Sequence, residues 1–94
     1  MTEVSLQTTV RASDDVVVRE LDGEAVLLNL ESGMYFGLDP VGTRVWQLID
    51  QHHRLSAVVK SMCEEFDAPP ETIERDVLRL VSELVEKRIV VAGP

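Results

Sequence analysis

At Asp39-Pro40 the hydrophobic pattern of this chain changes period, and that switch limits the fold more than any other feature. Before it, apolar residues come in short β-branched runs separated by turn residues. After it, they recur at helical spacing. Asp39 can cap a helix, and Pro40 suits a first helical turn, where no amide donor is needed. The chain therefore reads as strands followed by helices. With 94 residues it has room for one core.

The strand half contains Val16-Val17-Val18-Arg19-Glu20-Leu21, then Asp22-Gly23, then Ala25 to Leu30. Asp-Gly tolerates the positive φ that a two-residue hairpin needs at both positions. Glu31-Ser32-Gly33 forms a second turn, and Met34 to Leu38 a third strand, with Met34, Phe36 and Leu38 on one face and Tyr35 and Gly37 on the other. Residues 1–15 are polar and only weakly alternating (Val4, Leu6, Thr8, Val10). They read as a flexible N-terminal arm ahead of a domain spanning 16–91.

In the helical half, Val41, Val45, Leu48 and Ile49 mark a first helix, broken at His52-His53-Arg54. Leu55, Val58, Val59, Met62, Cys63 and Phe66 mark a second, with Ser56 expected as its cap. A third runs from about Pro70 to Lys87, with Ile73, Val77, Leu80 and Leu84 expected toward the core. Ile89-Val90-Val91 either returns as a short strand or packs loosely. The expected fold is α+β: a three-stranded antiparallel sheet followed by three helices, with a winged helix-turn-helix-like ending.

Composition narrows the function. Seventeen acids against nine bases give a net charge of −8, which disfavours nucleic acid and anionic membranes as partners. The last helix, read as a recognition helix, carries Glu71, Glu74, Asp76, Glu83 and Glu86 against Arg75, Arg79, Lys87 and Arg88, the wrong balance for phosphate contact. A single cysteine excludes an internal disulfide. There is no apolar run of membrane-spanning length and no secretion signal, so a cytoplasmic protein is expected. No phosphate loop, nucleophile elbow or metal-protease motif occurs. Adjacent His52 and His53 diverge on a helix, and Cys63 falls on an apolar stripe. Neither an enzyme nor a cofactor or metal site is expected.

Two features look unfinished. The third strand lies at a sheet edge, yet Ser32 to Leu38 carries neither charge nor proline, the usual defences of an edge. Either it accepts a strand from a partner, or part of the same chain covers it. On the last helix, Leu78, Val81 and Val85 form a second apolar stripe beside the core stripe. Either this arc widens the core contact, or it is the wall of a groove whose other side is the third strand.

The run Gly23 to Asp50, GEAVLLNLESGMYFGLDPVGTRVWQLID, with Asp76-Val77, Leu80, Leu84 and Glu86-Lys87, resembles the PqqD-like family, the RiPP recognition elements. It is most similar to the small stand-alone members found with lasso-peptide biosynthesis. The resemblance implies no catalysis. It implies a peptide-binding adaptor that takes the leader of a ribosomally made precursor as an added strand. Contacts would fall at Met34, Tyr35, Phe36 and Gly37 and on the last helix at Glu74, Arg75, Leu78, Val81, Ser82 and Val85. The implied partners are the precursor, a leader peptidase and a cyclase. Three alternatives stay open at this level: a PQQ-type peptide chaperone for a radical-SAM enzyme, a winged-helix DNA-binding regulator, and a homodimer joined through the third strand.

Overall fold

In a computed structural model that describes residues 4–93, the chain folds as β1 (Thr9–Ala12), β2 (Val16–Leu21), β3 (Glu24–Asn29), β4 (Tyr35–Leu38), α1 (Pro40–His52), α2 (Leu55–Glu65), α3 (Pro70–Glu86) and β5 (Val90–Gly93). The antiparallel sheet β2-β3-β4 precedes the three helices, so the expected α+β order holds. Asp22 (φ 55°) and Gly23 (φ 80°) both take positive φ, the backbone that a tight hairpin with right-handed strand twist requires. Gly33 (φ 75°) does the same in the turn before β4.

Part of the segment read as an arm is ordered strand. β1 pairs antiparallel with β5, Val10 opposite Ala92, and Val10 is buried; the arm's first three residues lie outside the described residues. The same segment replaces the expected cap of α2. Ser56 makes no side-chain cap, and Arg54 occupies that position. The amides of Leu55 and Ser56 donate instead to the carbonyls of Thr8 and Leu6, at 3.0 and 2.9 Å. Main-chain acceptors thus satisfy donors that a helix start leaves orphaned.

One face of the β2-β3-β4 sheet is covered. Ala25, Leu27 and Asn29 of β3 and Leu38 of β4 are buried toward the helices, while Val17, Val26 and Tyr35 on the opposite face are exposed. Val45, Trp46, Leu48 and Ile49 of α1 and Leu55, Val58, Val59 and Met62 of α2 fill the core. A polar chain crosses the outside. Gln47 donates to Glu20 at 2.8 Å, Arg44 donates to Gln47 at 3.0 Å, and Arg44 grips Glu65 through two bonds of 2.7 and 2.8 Å. This links β2, α1 and α2. The hydrogen-bonded partner holds the Glu65 carboxyl below its ordinary range and raises the Arg44 guanidinium.

α3 is turned relative to the expected core stripe. Ile73, Val77, Val81 and Leu84 face inward, so Val81 takes the place assigned to Leu80. Adjacent residues differ by roughly 100°, and a small rotation of the helix decides between them. The cause lies after the helix. Ile89 and Val90 are buried, and β5 packs back against α3, giving the Val81 side an apolar surface to meet. The second apolar stripe therefore widens the core contact.

Two outcomes follow. Val81 has no exposed surface, so Val81→Asp buries an unpaired carboxylate and costs about 3–5 kcal/mol; thermal melting should show a protein largely unfolded or a steep fall in Tm. Because the folded-state pKa of Glu65 is depressed, its contribution is present at neutral pH and disappears as pH falls through that lowered value. Glu65→Gln should thus lower Tm near pH 7, and the gap from the parent chain should narrow as pH falls below the ordinary glutamate range.

Candidate functional site

The register of the β3-β4 ladder determines which backbone groups of β4 are spoken for. The Asn29 amide donates to the Met34 carbonyl at 2.8 Å, and Leu27 lies opposite Phe36 and Ala25 opposite Leu38. Hydrogen-bonded pairs alternate in an antiparallel ladder. Phe36 and Leu38 thus turn their main-chain groups toward β3, while Tyr35 and Gly37 turn theirs away. Among the described residues no strand pairs with β4 on that outer side. The other edge of the sheet, β2, carries Arg19 and Glu20, and Glu20 is held by Gln47.

Gly37 is not demanded by the fold. Its φ is not positive, and a Cβ built there would meet nothing within 4 Å. The missing side chain leaves the exposed sheet face beside Tyr35 bare, where another backbone can come close. Tyr35 beside it is 71% exposed.

Next to this edge runs a cleft of about 570 Å³. Phe36 to Asp39 form its strand wall. Val41, Gly42 and Val45 of α1, Met62 of α2 and Phe66 just after it form its floor. Thr72, Ile73, Asp76, Val77, Arg79, Leu80 and Glu83 of α3 form the far wall. The floor is apolar and the α3 rim carries both charges. Arg79 meets Asp76 at 3.1 Å and Arg75 approaches Asp76 at 3.8 Å, exposed pairs that steer more than they stabilise. The Lys87 ammonium lies over the Phe36 ring, 5.8 Å from its centroid, and joins the two walls.

The residues singled out from sequence divide into two groups. Met34, Tyr35, Phe36 and Gly37 lie together along the edge, and Phe36 and Gly37 also line the cleft. Glu74, Arg75, Leu78, Val81, Ser82 and Val85 do not line it. Val81 is in the core, and Leu78 and Val85 pack against that core half-buried. Ser82 donates back to the Leu78 carbonyl at 2.8 Å. Val85 borders a separate hollow with Asn29, Arg88 and β5. The rotation of α3 explains the difference. The side facing β4 is the one bearing Thr72, Asp76, Leu80 and Glu83, which sequence reasoning missed. The available signal was the apolar Ile89-Val90-Val91 run after the helix, which needs a helical face of its own.

Other reactive side chains have ordinary roles. His53 Nδ1 lies 3.2 Å from the Val10 carbonyl, and His52 Nε2 lies 3.4 Å from the Ser61 hydroxyl. Cys63 is half-buried against the core. Among the described residues no three His, Cys, Asp or Glu side chains are grouped to hold a metal ion, and no helix is long and apolar enough to cross a membrane.

Comparison with known proteins agrees with this architecture. In the solved structure of TbiB1 in complex with the TbiA(beta) leader peptide, the matching chain is 39% identical, with a TM-score of 0.80 over 85% of this chain and 93% of that one. A lasso peptide synthetase B1 complexed with the leader peptide is 25% identical, with a TM-score of 0.78 over 88% of this chain and 98% of that one. A PqqA binding protein of Rhizobium meliloti (strain 1021) is 34% identical over 86 residues, 92% of this chain and 82% of the relative. Another, from Gluconobacter oxydans (strain 621H), is 33% identical over 54 residues, 57% of this chain and 56% of the relative. The family model for coenzyme PQQ synthesis protein D matches residues 24–90, and the chain belongs to the PqqD family.

Proposed function

We propose that this protein is a non-catalytic adaptor that binds the leader segment of a ribosomally made precursor peptide and presents it to modifying enzymes. The guest adds to β4 as an antiparallel strand. Tyr35 and Gly37 each offer it one amide donor and one carbonyl acceptor, and Met34 and Phe36 flank them. Its alternate side chains settle into the cleft against Leu80, between Asp76 and Glu83. Backbone pairing supplies grip that tolerates sequence, and the cleft supplies selectivity. The observation that carries this reading is the undefended outer edge of β4 beside an apolar cleft.

The leader complexes among the solved relatives favour a lasso-type precursor; on this reading the protein delivers it in the cytoplasm to a leader peptidase and a cyclase. A second reading has its own support, since the curated relatives are PqqA binding proteins. On that reading the guest is a PqqA-type peptide and the recipient a radical-SAM enzyme. Labelled TbiA(beta) leader and labelled PqqA, titrated by fluorescence anisotropy, separate the two. Self-pairing of β4 between two copies would use the same donors, so leader binding should convert any such dimer to a 1:1 complex in light scattering.

Gly37→Pro and Tyr35→Pro each delete an outward amide and should weaken binding of the preferred peptide by about tenfold or more. Leu80→Asp should weaken it severalfold, at about 1–2 kcal/mol for a lost apolar contact. Circular dichroism checks that each variant is folded. Unchanged affinity across all three would overturn the strand-addition reading, and peptide that binds neither parent nor variants would overturn the adaptor role.

A further inference from the structure

Among the described residues, Asn29 and Thr43 are the buried polar side chains, 3% and 2% exposed. Burying such groups is costly unless each is hydrogen-bonded. Both are, and both serve β4. The Thr43 hydroxyl, carried on α1, accepts the Ala25 amide at 2.9 Å and donates to the Leu38 carbonyl at 3.4 Å. It therefore sits between two groups that face each other across the β3-β4 ladder and ties the C-terminal end of β4 to α1.

Asn29 acts at the other end. Its Oδ1 accepts the amides of Glu31 and Ser32 at 2.9 and 3.1 Å, which fixes the turn that leads into β4. Its Nδ2 donates to the Arg88 carbonyl at 2.6 Å, a contact spanning 59 residues. Arg88 follows α3 and holds φ at 61°, an uncommon backbone for a residue with a side chain. The bond ties the N-terminal end of β4 to the exit of α3, the helix that forms the far wall of the cleft.

We infer that Asn29 and Thr43 are positioning residues that hold the outer edge of β4 ordered, and at a fixed distance from α3, before any guest arrives. The inference rests on the leader-binding reading. A four-residue strand with one neighbour frays readily, and a frayed edge must be ordered at the expense of the incoming strand's affinity. Two bolts, one to each flanking helix, remove that cost. Neither residue touches the guest.

The test uses Thr43→Val, which keeps the shape and loses the hydroxyl, with Thr43→Ser as the rescue. It adds Asn29→Asp, which keeps the turn acceptor and loses the donor to Arg88. Val59→Ala, a core truncation outside the cleft, serves as the stability control. Hydrogen exchange at the Phe36 and Leu38 amides is measured in the free protein, and affinity for labelled TbiA(beta) leader and PqqA in the folded state. Thr43→Val and Asn29→Asp should speed exchange at those two amides about tenfold and weaken peptide binding about fivefold. Thr43→Ser should restore both, and Val59→Ala should change neither selectively. Exchange no faster at β4 than elsewhere, or parent-like affinity in both variants, would overturn the inference. Faster exchange at β4 in a protein that binds neither peptide would uphold the ordering role and overturn the leader-binding reading instead.

Discussion

A three-stranded meander has two edges, and a small chain has helices enough to cover only one of its faces. That shortage shapes this protein. The helices bury Ala25, Leu27, Asn29 and Leu38 and leave the opposite face with Val17, Val26 and Tyr35 exposed. Of the edges, β2 carries charge and is anchored through Glu20 to α1. β4 carries none, and among the described residues no strand pairs with its outer donors and acceptors. An unpaired polar row is ordinarily a hazard, because it templates aggregation. Here its length is held to four residues, and the ends are tied by buried side chains. A short, rigid, open edge is what strand addition needs, and a long or mobile one is what aggregation needs.

Much of this was legible in the residues because the signals were local. Asp22-Gly23 specifies a turn by its own φ preference, Asp39-Pro40 specifies a helix start by its own capping chemistry, and the bare stretch from Ser32 to Leu38 can be read without knowing what packs on it. The features that escaped were those set by distant partners. β1 is a strand because β5 lies beside it, some eighty residues on. The α2 start needs no serine cap because Thr8 and Leu6 carry their carbonyls to it. Neither partner is visible in the neighbouring sequence.

The rotation of α3 belongs to the same class and matters more, since it decides which residues border the cleft. Its apolar arc is wide enough to satisfy two orientations, and local pattern favours neither. The buried Ile89-Val90 pair breaks the tie by claiming the Val81 side for the core. The cleft then receives Thr72, Asp76, Leu80 and Glu83. A helix whose hydrophobic face is broader than one neighbour can cover is best read together with whatever follows it in the chain.

On the proposed reading, the cleft also accounts for how one fold can serve different peptides. The family includes proteins named for binding PqqA, and the same architecture occurs in complexes with leader peptides, one of them that of a lasso peptide synthetase. Main-chain pairing along β4 is blind to side chains, so on the proposed reading it cannot distinguish such guests. On that reading discrimination comes from the cleft, whose far wall sets Leu80, beside the buried Ile73 and Val77, among Asp76, Arg79 and Glu83. Asp76 is already engaged by Arg79 at 3.1 Å, whereas Glu83 makes no ion pair among the described residues and is the nearer candidate to select a basic or hydrogen-bond-donating guest residue. Changing which peptide is accepted would then call for changes among cleft-lining side chains and none in the main-chain pairing of the sheet. That division separates the part of the protein that must stay constant to fold from the part that is free to specialise.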